Sequence, residues 1–215
     1  MKKVPGSTVG RLSVYLRLLE EEPATGARTL SSEELAARAG TTAAQVRKDL
    51  SFFGTFGKRG LGYSVPQLRT TLRSILGLER RWRVAVVGAG KIGKALLGYE
   101  DFRQQGFSVE AVFDVDASKV GQEYHGLEVL PDASLETVLR DGYDIAIVAV
   151  PGDAAQAVVD RVVGAGVRAI LNFAPVKLRV PEGVALKSVN MALELEGLSY
   201  ALANADAARR SRRPR

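Results

Sequence analysis

The run RVAVVGAGKIGKALLGYE, Arg83 to Glu100, constrains the fold of this chain more than any other stretch. Val84, Ala85, Val86 and Val87 form a short apolar run, the pattern of a parallel strand buried on both faces. Gly88, Gly90 and Gly93 complete G-x-G-x-x-G, with Ala89, Lys91 and Ile92 between them. In a strand–turn–helix unit the first glycine permits the tight turn and the second lets a pyrophosphate approach the backbone. The third lets the helix pack on its strand. The helix N-terminus aims N–H groups at the anion. Asp114, in VEAVFDVD, falls 21 residues after Gly93, at the expected end of the next strand. An acid there bonds the adenosine ribose hydroxyls and repels a 2′-phosphate, so NAD⁺ and NADH are the expected cofactors.

The rest of the second part repeats the unit. DIAIVAV (144–150) predicts a buried strand, DAAQAVVDRVVGAG an amphipathic helix, VRAILNF (167–173) another strand and VALKSVN a last one. A final helix is expected from about Met191 to Ala203. Alternating strands and helices predict a doubly wound parallel sheet. Ligands bind at the carboxyl ends of its strands, which puts Val150, Pro151, Asn172 and Pro175 near a nicotinamide.

About eighty residues precede this sheet. TVGRLSVYLRLLEEE carries Val9, Leu12, Leu16 and Leu19 on one helical face. In SSEELAARAG, Ser31 and Glu34 make a capping box, and Leu35, Ala36 and Ala39 face inward. In TTAAQVRKDLSFFG, Thr42 and Gln45 read as a second box, with Val46, Leu50 and Phe53 buried and Gln45, Arg47 and Lys48 off that stripe. Two short helices about a glycine turn read as a helix-turn-helix. Arg47 and Lys48 reach guanine edges or phosphates, Gln45 suits adenine, and Ala43 and Ala44 allow close approach to the groove. GTFGKRGLGYSV predicts a two-stranded wing flanked by Phe56, Tyr63 and Val65, with Lys58 and Arg59 at its tip. Pro66 opens one more helix, ended by Gly77.

Charge supports this division. Residues 1–80 hold 13 Lys and Arg against 7 Asp and Glu, whereas residues 81–205 hold 12 against 16. A basic first segment ahead of an acidic body points to nucleic acid as its partner. Three segments result: a DNA-binding domain over 1–80, a nucleotide-binding domain over 81–205, and a basic tail over 206–215 expected to be disordered. With no cysteine, disulfides and thiol catalysis are excluded. The single histidine, His125 in EYHGLEV, reads as a plain turn or surface residue, so neither a metal site nor a catalytic triad is expected. No membrane span or signal peptide is visible, and a cytoplasmic location is expected.

A winged helix followed by a Rossmann domain resembles Rex, the redox-sensing transcriptional repressors of bacteria. The resemblance covers almost the whole chain and rests on VRKDLSFFG (46–54), GKRGLGY (57–63), GAGKIG (88–93), FDVD (113–116) and NFAPV (172–176). It implies a homodimer that binds palindromic double-stranded operator DNA when NADH/NAD⁺ is low and is released by NADH. It also implies a C-terminal helix exchanged between subunits, near the partner's nucleotide site. The family's oxidised-state network joins an arginine, a tyrosine and an aspartate. Arg17 and Tyr99 match the first two, whereas Asn190, just before Met191, stands in the place of the acid. Two other readings compete: an NAD-dependent oxidoreductase with an N-terminal extension, and a coenzyme A-binding domain. No convincing general acid/base set favours the first, and Asp114 argues against the second.

Overall fold

The computed structural model describes residues 4–22, 29–57 and 61–211, with 205–211 as backbone. The chain divides into two compact units, residues 1–80 and 81–215.

The first unit comprises α1 (Gly6–Glu20), β1 (Thr29–Leu30), α2 (Ser32–Arg38), α3 (Ala43–Ser51), β2 (Tyr63–Ser64) and α4 (Val65–Ile75). Ser31 begins α2 with the expected reciprocal cap: the Glu34 N–H donates to its Oγ at 3.0 Å, and its own N–H donates to Glu34 Oε2 at 2.7 Å. At α3 only half of the second box forms. The Gln45 N–H donates to Thr42 Oγ1, but the Gln45 side chain turns away to Asp49. The core joins Leu12, Leu16 and Leu19 of α1 to Leu35, Val46, Leu50, Leu68 and Leu72. Val9, expected in the α1 stripe, is exposed, and Thr8 and Tyr15 are buried instead. The stripe is therefore rotated toward a polar centre described below. The wing also differs from expectation. Tyr63–Ser64 pairs antiparallel with Thr29–Leu30, the segment before α2, and Val65 opens α4 rather than extending a strand. Lys58 and Arg59, the expected tip, lie outside the described residues.

The second unit comprises β3 (Trp82–Val87), α5 (Lys91–Leu97), α6 (Glu100–Gln104), β4 (Phe107–Asp114), β5 (Glu123–Tyr124), β6 (Leu127–Pro131), α7 (Leu135–Leu139), β7 (Ile145–Val148), α8 (Gly152–Gly164), β8 (Ala169–Asn172), β9 (Ala185–Ser188) and α9 (Met191–Ser211). The sheet order is β5-β6-β4-β3-β7-β8-β9. From β6 to β9 every pairing is parallel, and only β5 is antiparallel. The chain moves outward one way from β3 and then the other way from β7, so β3 and β7 meet at the point where strand order reverses.

Alternation along the central strands fills both faces. Val84 and Val86 join Val112, Ile147, Leu96 and Phe102 on the α5–α6 side. Ala85 and Val87 join Phe113, Val148, Leu135 and Val159 on the α7–α8 side. Phe113 is fully enclosed, and burying such a side chain stabilises by about 1.5–3 kcal/mol. The sheet departs from strict alternation, because β4–β6 and β8–β9 are linked without a regular helix. His125 forms the turn of the β5–β6 hairpin in a left-handed conformation, φ 53°. The last helix continues past Ala203 to Ser211, so residues 206–211, expected as disordered tail, have helical backbone. Residues 212–215 lie outside the described residues.

Candidate nucleotide cleft and nucleic-acid interface

The glycine loop explains itself sterically. Gly88 has φ +102°, and a Cβ there would come within 2.5 Å of the Ala149 carbonyl oxygen on the neighbouring strand end. A Cβ on Gly93 would meet the Gly88 carbonyl oxygen at 1.8 Å, so α5 leaves the turn at a distance only glycine permits. Gly90 differs. Its φ of −79° suits any residue, and a Cβ would meet no protein atom within 4 Å. The chain therefore leaves room at Gly90 that its own packing does not require, which fits a phosphate approaching the backbone.

A cleft of about 730 Å³ opens at this turn. Its walls include Gly88, Gly90, Lys91, Ile92, Asp114, Val115, Val150, Pro151 and Arg161. That volume is in the range of small-molecule sites. Asp114, at the C-terminal end of β4, is only 8% exposed. Its Oδ2 accepts the Ala89 N–H at 2.8 Å and the Lys119 ammonium at 3.0 Å, and its Oδ1 accepts the Asp116 N–H at 2.9 Å. Burial pushes its pKa up, but these donors outweigh burial and hold it below the usual carboxylate value. Asp114 is thus a charged acceptor fixed to the glycine loop itself. Across the cleft, Arg161 of α8 binds Glu136 through Nε and Nη2 and Asp132 through Nη1, tying α8 to α7.

Of the expected nicotinamide-end residues, Val150 and Pro151 line this cleft, and Asn172 and Pro175 do not. Asn172 is fully buried, and both ends of its amide serve its own loop: Nδ2 donates to the Ala174 carbonyl and Ser188 Oγ, while Oδ1 accepts the Ala174 N–H. It shapes the turn after β8. Lys119 and Arg161 were missed by sequence reasoning. Lys119 offered one signal, a cation five residues beyond Asp114 in the same loop. Arg161 sits in an amphipathic helix that gives no local hint of its partners.

In the first unit, α3 presents Ala44, Arg47 and Lys48 as exposed residues and Ala43 as half-buried. The Lys48 ammonium has no partner among the described residues, whereas Arg47 donates to Ser32 Oγ at 2.6 Å and Glu33 Oε1 at 3.1 Å. The Gln45 amide points inward instead, donating to Asp49 Oδ1 at 2.9 Å. Asp49 is the centre of this arrangement. It is wholly buried and also accepts from Thr8 Oγ1 at 3.1 Å, Arg11 Nε at 2.6 Å, Arg11 Nη2 at 2.7 Å and Tyr15 Oη at 3.0 Å. Burial would raise its pKa, but the donors, Arg11 foremost, hold it below the usual value. Burial, with help from Asp49, pushes the Tyr15 phenol up to about 12. Asp49 thereby clamps α3 to α1.

Arg17 is exposed near the end of α1. Tyr99 is exposed and packs edge-on to Phe102. Asn190 caps α9, its Oδ1 accepting the Ala192 N–H at 3.0 Å. Met191 is exposed, as are Leu195, Leu198 and Leu202 further along the same helix.

A helix-turn-helix unit joined to a sheet with a dinucleotide-type cleft defines a DNA-binding regulator that answers to a nucleotide. Comparisons with known proteins agree. A family model described as "CoA binding domain" matches residues 79–176, and one described as "Putative DNA-binding protein N-terminus" matches residues 3–51. The redox-sensing transcriptional repressor Rex of Carboxydothermus hydrogenoformans is 48% identical over 199 residues, covering 92% of this chain and 96% of that protein. Rex of Thermus thermophilus is 46% identical over 202 residues, covering 94% and 95%. The crystal structure of RSP in complex with β-NAD⁺ and operator DNA superposes with a TM-score of 0.90 at 36% identity, covering 98% of this chain and 97% of that one. RSP in complex with β-NADH superposes at 0.87 and 34% identity, covering 99% and 100%. The chain belongs to the Rex family of redox-sensing transcriptional repressors, which are regulators and not enzymes.

Proposed function

We propose that this chain represses transcription by binding operator DNA through its first unit, residues 1–80, and NAD(H) through its second, and that NADH lowers its affinity for the operator. The observation that carries the reading is Asp114: a buried, ionised acceptor at the strand end, bonded to the glycine loop and facing a cleft of dinucleotide size. Gly88, Ala89, Gly90, Lys91, Ile92 and Gly93 take the pyrophosphate, Asp114 the adenosine ribose, and Val150 and Pro151 the wall beyond. When bound, the cofactor supplies only its redox state, a cationic nicotinamide ring in NAD⁺ and a neutral one in NADH. Contacts at Asp114 and the glycine loop are common to both forms, so they set affinity and not discrimination. We assign discrimination to Tyr99, Asn190 and Met191, with Arg17 as its counterpart on α1. Arg47 and Lys48 of α3, with Lys58 and Arg59, supply the cations for DNA.

The repressor acts as a homodimer. Met191, Leu193, Leu195, Leu198, Tyr200 and Leu202 of α9 are each more than half exposed, and an apolar surface of that extent is built to be covered. Exchange of α9 between two copies covers it. Among the described residues no helix is long and apolar enough to cross a membrane, and we place the protein in the cytoplasm with its DNA. The deciding experiment is a mobility shift with palindromic operator DNA, to which NADH, NAD⁺ or coenzyme A is added. NADH alone should release the DNA at low concentration. No shift at all would favour an oxidoreductase, and release by coenzyme A would favour the rival ligand.

A further inference from the structure

The acid that receives the adenosine ribose does not stand alone. The Lys119 ammonium lies 3.0 Å from Asp114 Oδ2 and 3.5 Å from Asp116 Oδ2, and all three residues line the cleft. Asp114 is buried and Lys119 half-buried, with side-chain exposures of 7% and 29%. At this end the local charge is two carboxylates against one ammonium. Of the other cations lining the cleft, Arg161 is already saturated by Glu136 and Asp132, and Lys91 belongs to the glycine turn at the start of α5. Lys119 is therefore the cation placed where an added phosphate on the ribose 2′-oxygen would arrive.

A 2′-phosphate carries about −1.5 to −2 charges near neutral pH. Against the net negative subsite it is repelled, and Asp114 opposes it twice, by its own charge and by holding the ammonium that would otherwise attract it. Charge-assisted hydrogen bonds are about twice as strong as neutral ones, so the freed ammonium is a strong phosphate donor. We infer that Lys119 is a specificity-determining residue that makes the ribose end a concealed 2′-phosphate site, closed by Asp114, the nearer and more buried of its two carboxylate partners. The inference rests on the NAD(H) reading of the cleft.

The test is calorimetric titration of NADH and NADPH into the full-length protein, its Asp114→Asn, Asp114→Ser and Lys119→Met variants, and the Asp114→Asn/Lys119→Met double variant. Asparagine can accept the Ala89 N–H only by giving up the Asp116 N–H, so the fold of that variant is checked directly and Asp114→Ser stands beside it. The melting of Trp82 fluorescence checks every variant. Wild type should bind NADH far better than NADPH. Asp114→Asn and Asp114→Ser should each gain NADPH affinity on the order of tenfold or more, from a charge-assisted contact formed by the released ammonium. The double variant should lose that gain. Wild type that binds NADH, with Asp114 variants that gain no NADPH affinity or a double variant that keeps the gain, overturns the role of Lys119 alone. Wild type that binds neither nucleotide overturns the NAD(H) reading and this inference with it.

Discussion

Replacing Asp49 should destabilise the first unit while leaving the second unchanged. The carboxylate is wholly buried and accepts five hydrogen bonds, from Thr8, Arg11 twice, Tyr15 and Gln45. In Asp49→Ala the buried Tyr15 hydroxyl and Thr8 hydroxyl lose their acceptor, and Arg11 loses its counter-charge. Removing one partner of a buried ion pair costs about 3–5 kcal/mol. The Arg11 side chain is 32% exposed and is partly rescued by water, which moves the expectation to the lower end, about 3 kcal/mol. Against a typical domain stability of about 5–15 kcal/mol, that loss is large. The chain offers an internal control. Its single tryptophan, Trp82, lies on β3 of the second unit, whereas the first unit is mainly helical. Urea denaturation followed by circular dichroism should show an early helical transition in Asp49→Ala, with the Trp82 fluorescence transition unmoved. A helical transition shifted by less than about 1 kcal/mol, the scale of one ordinary hydrogen bond, would refute the clamp.

Acid gives a second view of the same group. The folded-state pKa of Asp49 is held below the ordinary value, so its contribution is complete above the unfolded value, about 3.9, and is lost as pH falls through the folded value. The stability gap between wild type and Asp49→Asn should be constant near neutrality and narrow below about pH 4. A gap that widens in acid would reverse the sign of the argument.

Further outcomes follow from the cleft, α3 and α9. Gly93→Ala, whose Cβ would meet a carbonyl oxygen at 1.8 Å, should destabilise the second unit and abolish NADH binding. Gly90→Ala should keep the melting temperature and lose NADH affinity alone, and equal effects in the two would contradict their assigned roles. Lys48→Ala should weaken operator binding and lower the salt slope by about one unit if Lys48 meets a phosphate, checked by titration across a salt series. Asn190→Asp, which restores the acid implied by the family pattern, should require more NADH for operator release, by a few-fold for a coupling of about 1 kcal/mol. An unchanged midpoint removes Asn190 from the switch. Leu195→Glu with Leu198→Glu should shift sedimentation from dimer to monomer, and a variant that stays dimeric would place the interface elsewhere.

What could be read from the sequence was what depends on neighbours in sequence. The glycine turn, the Ser31–Glu34 cap and the His125 turn are set by local backbone geometry, and each stands where its spacing put it. The Asp49 centre is assembled from partners up to 41 residues away, and no local period announces such bonds. One signal existed: Asp49 falls on the same helical face as Val46, Leu50 and Phe53, and a charge on a core-facing position must find partners. The partners of Asn172 were hidden for a related reason. Its position at a strand end was read correctly, but position does not give side-chain direction, and the loop after β8 consumed both ends of its amide. The β1–β2 pairing was hidden because two-residue strands carry no alternation to read.

The last helix marks the boundary of what one chain can explain. A helix in water is marginal without tertiary packing, and α9 presents six large apolar side chains that are each more than half exposed. Each such side chain left in water forgoes about 1.5–3 kcal/mol of burial. Its apolar residues do not form a single stripe: Met191, Leu195, Leu198 and Leu202 share one face, whereas Leu193 and Tyr200 lie on the opposite one. A helix lying on its own sheet needs one apolar face, whereas a helix inserted between parts of another subunit needs several. Apolar residues on opposite sides of α9 are what the exchange we propose requires, because a second copy can cover both sides at once and a single sheet surface cannot.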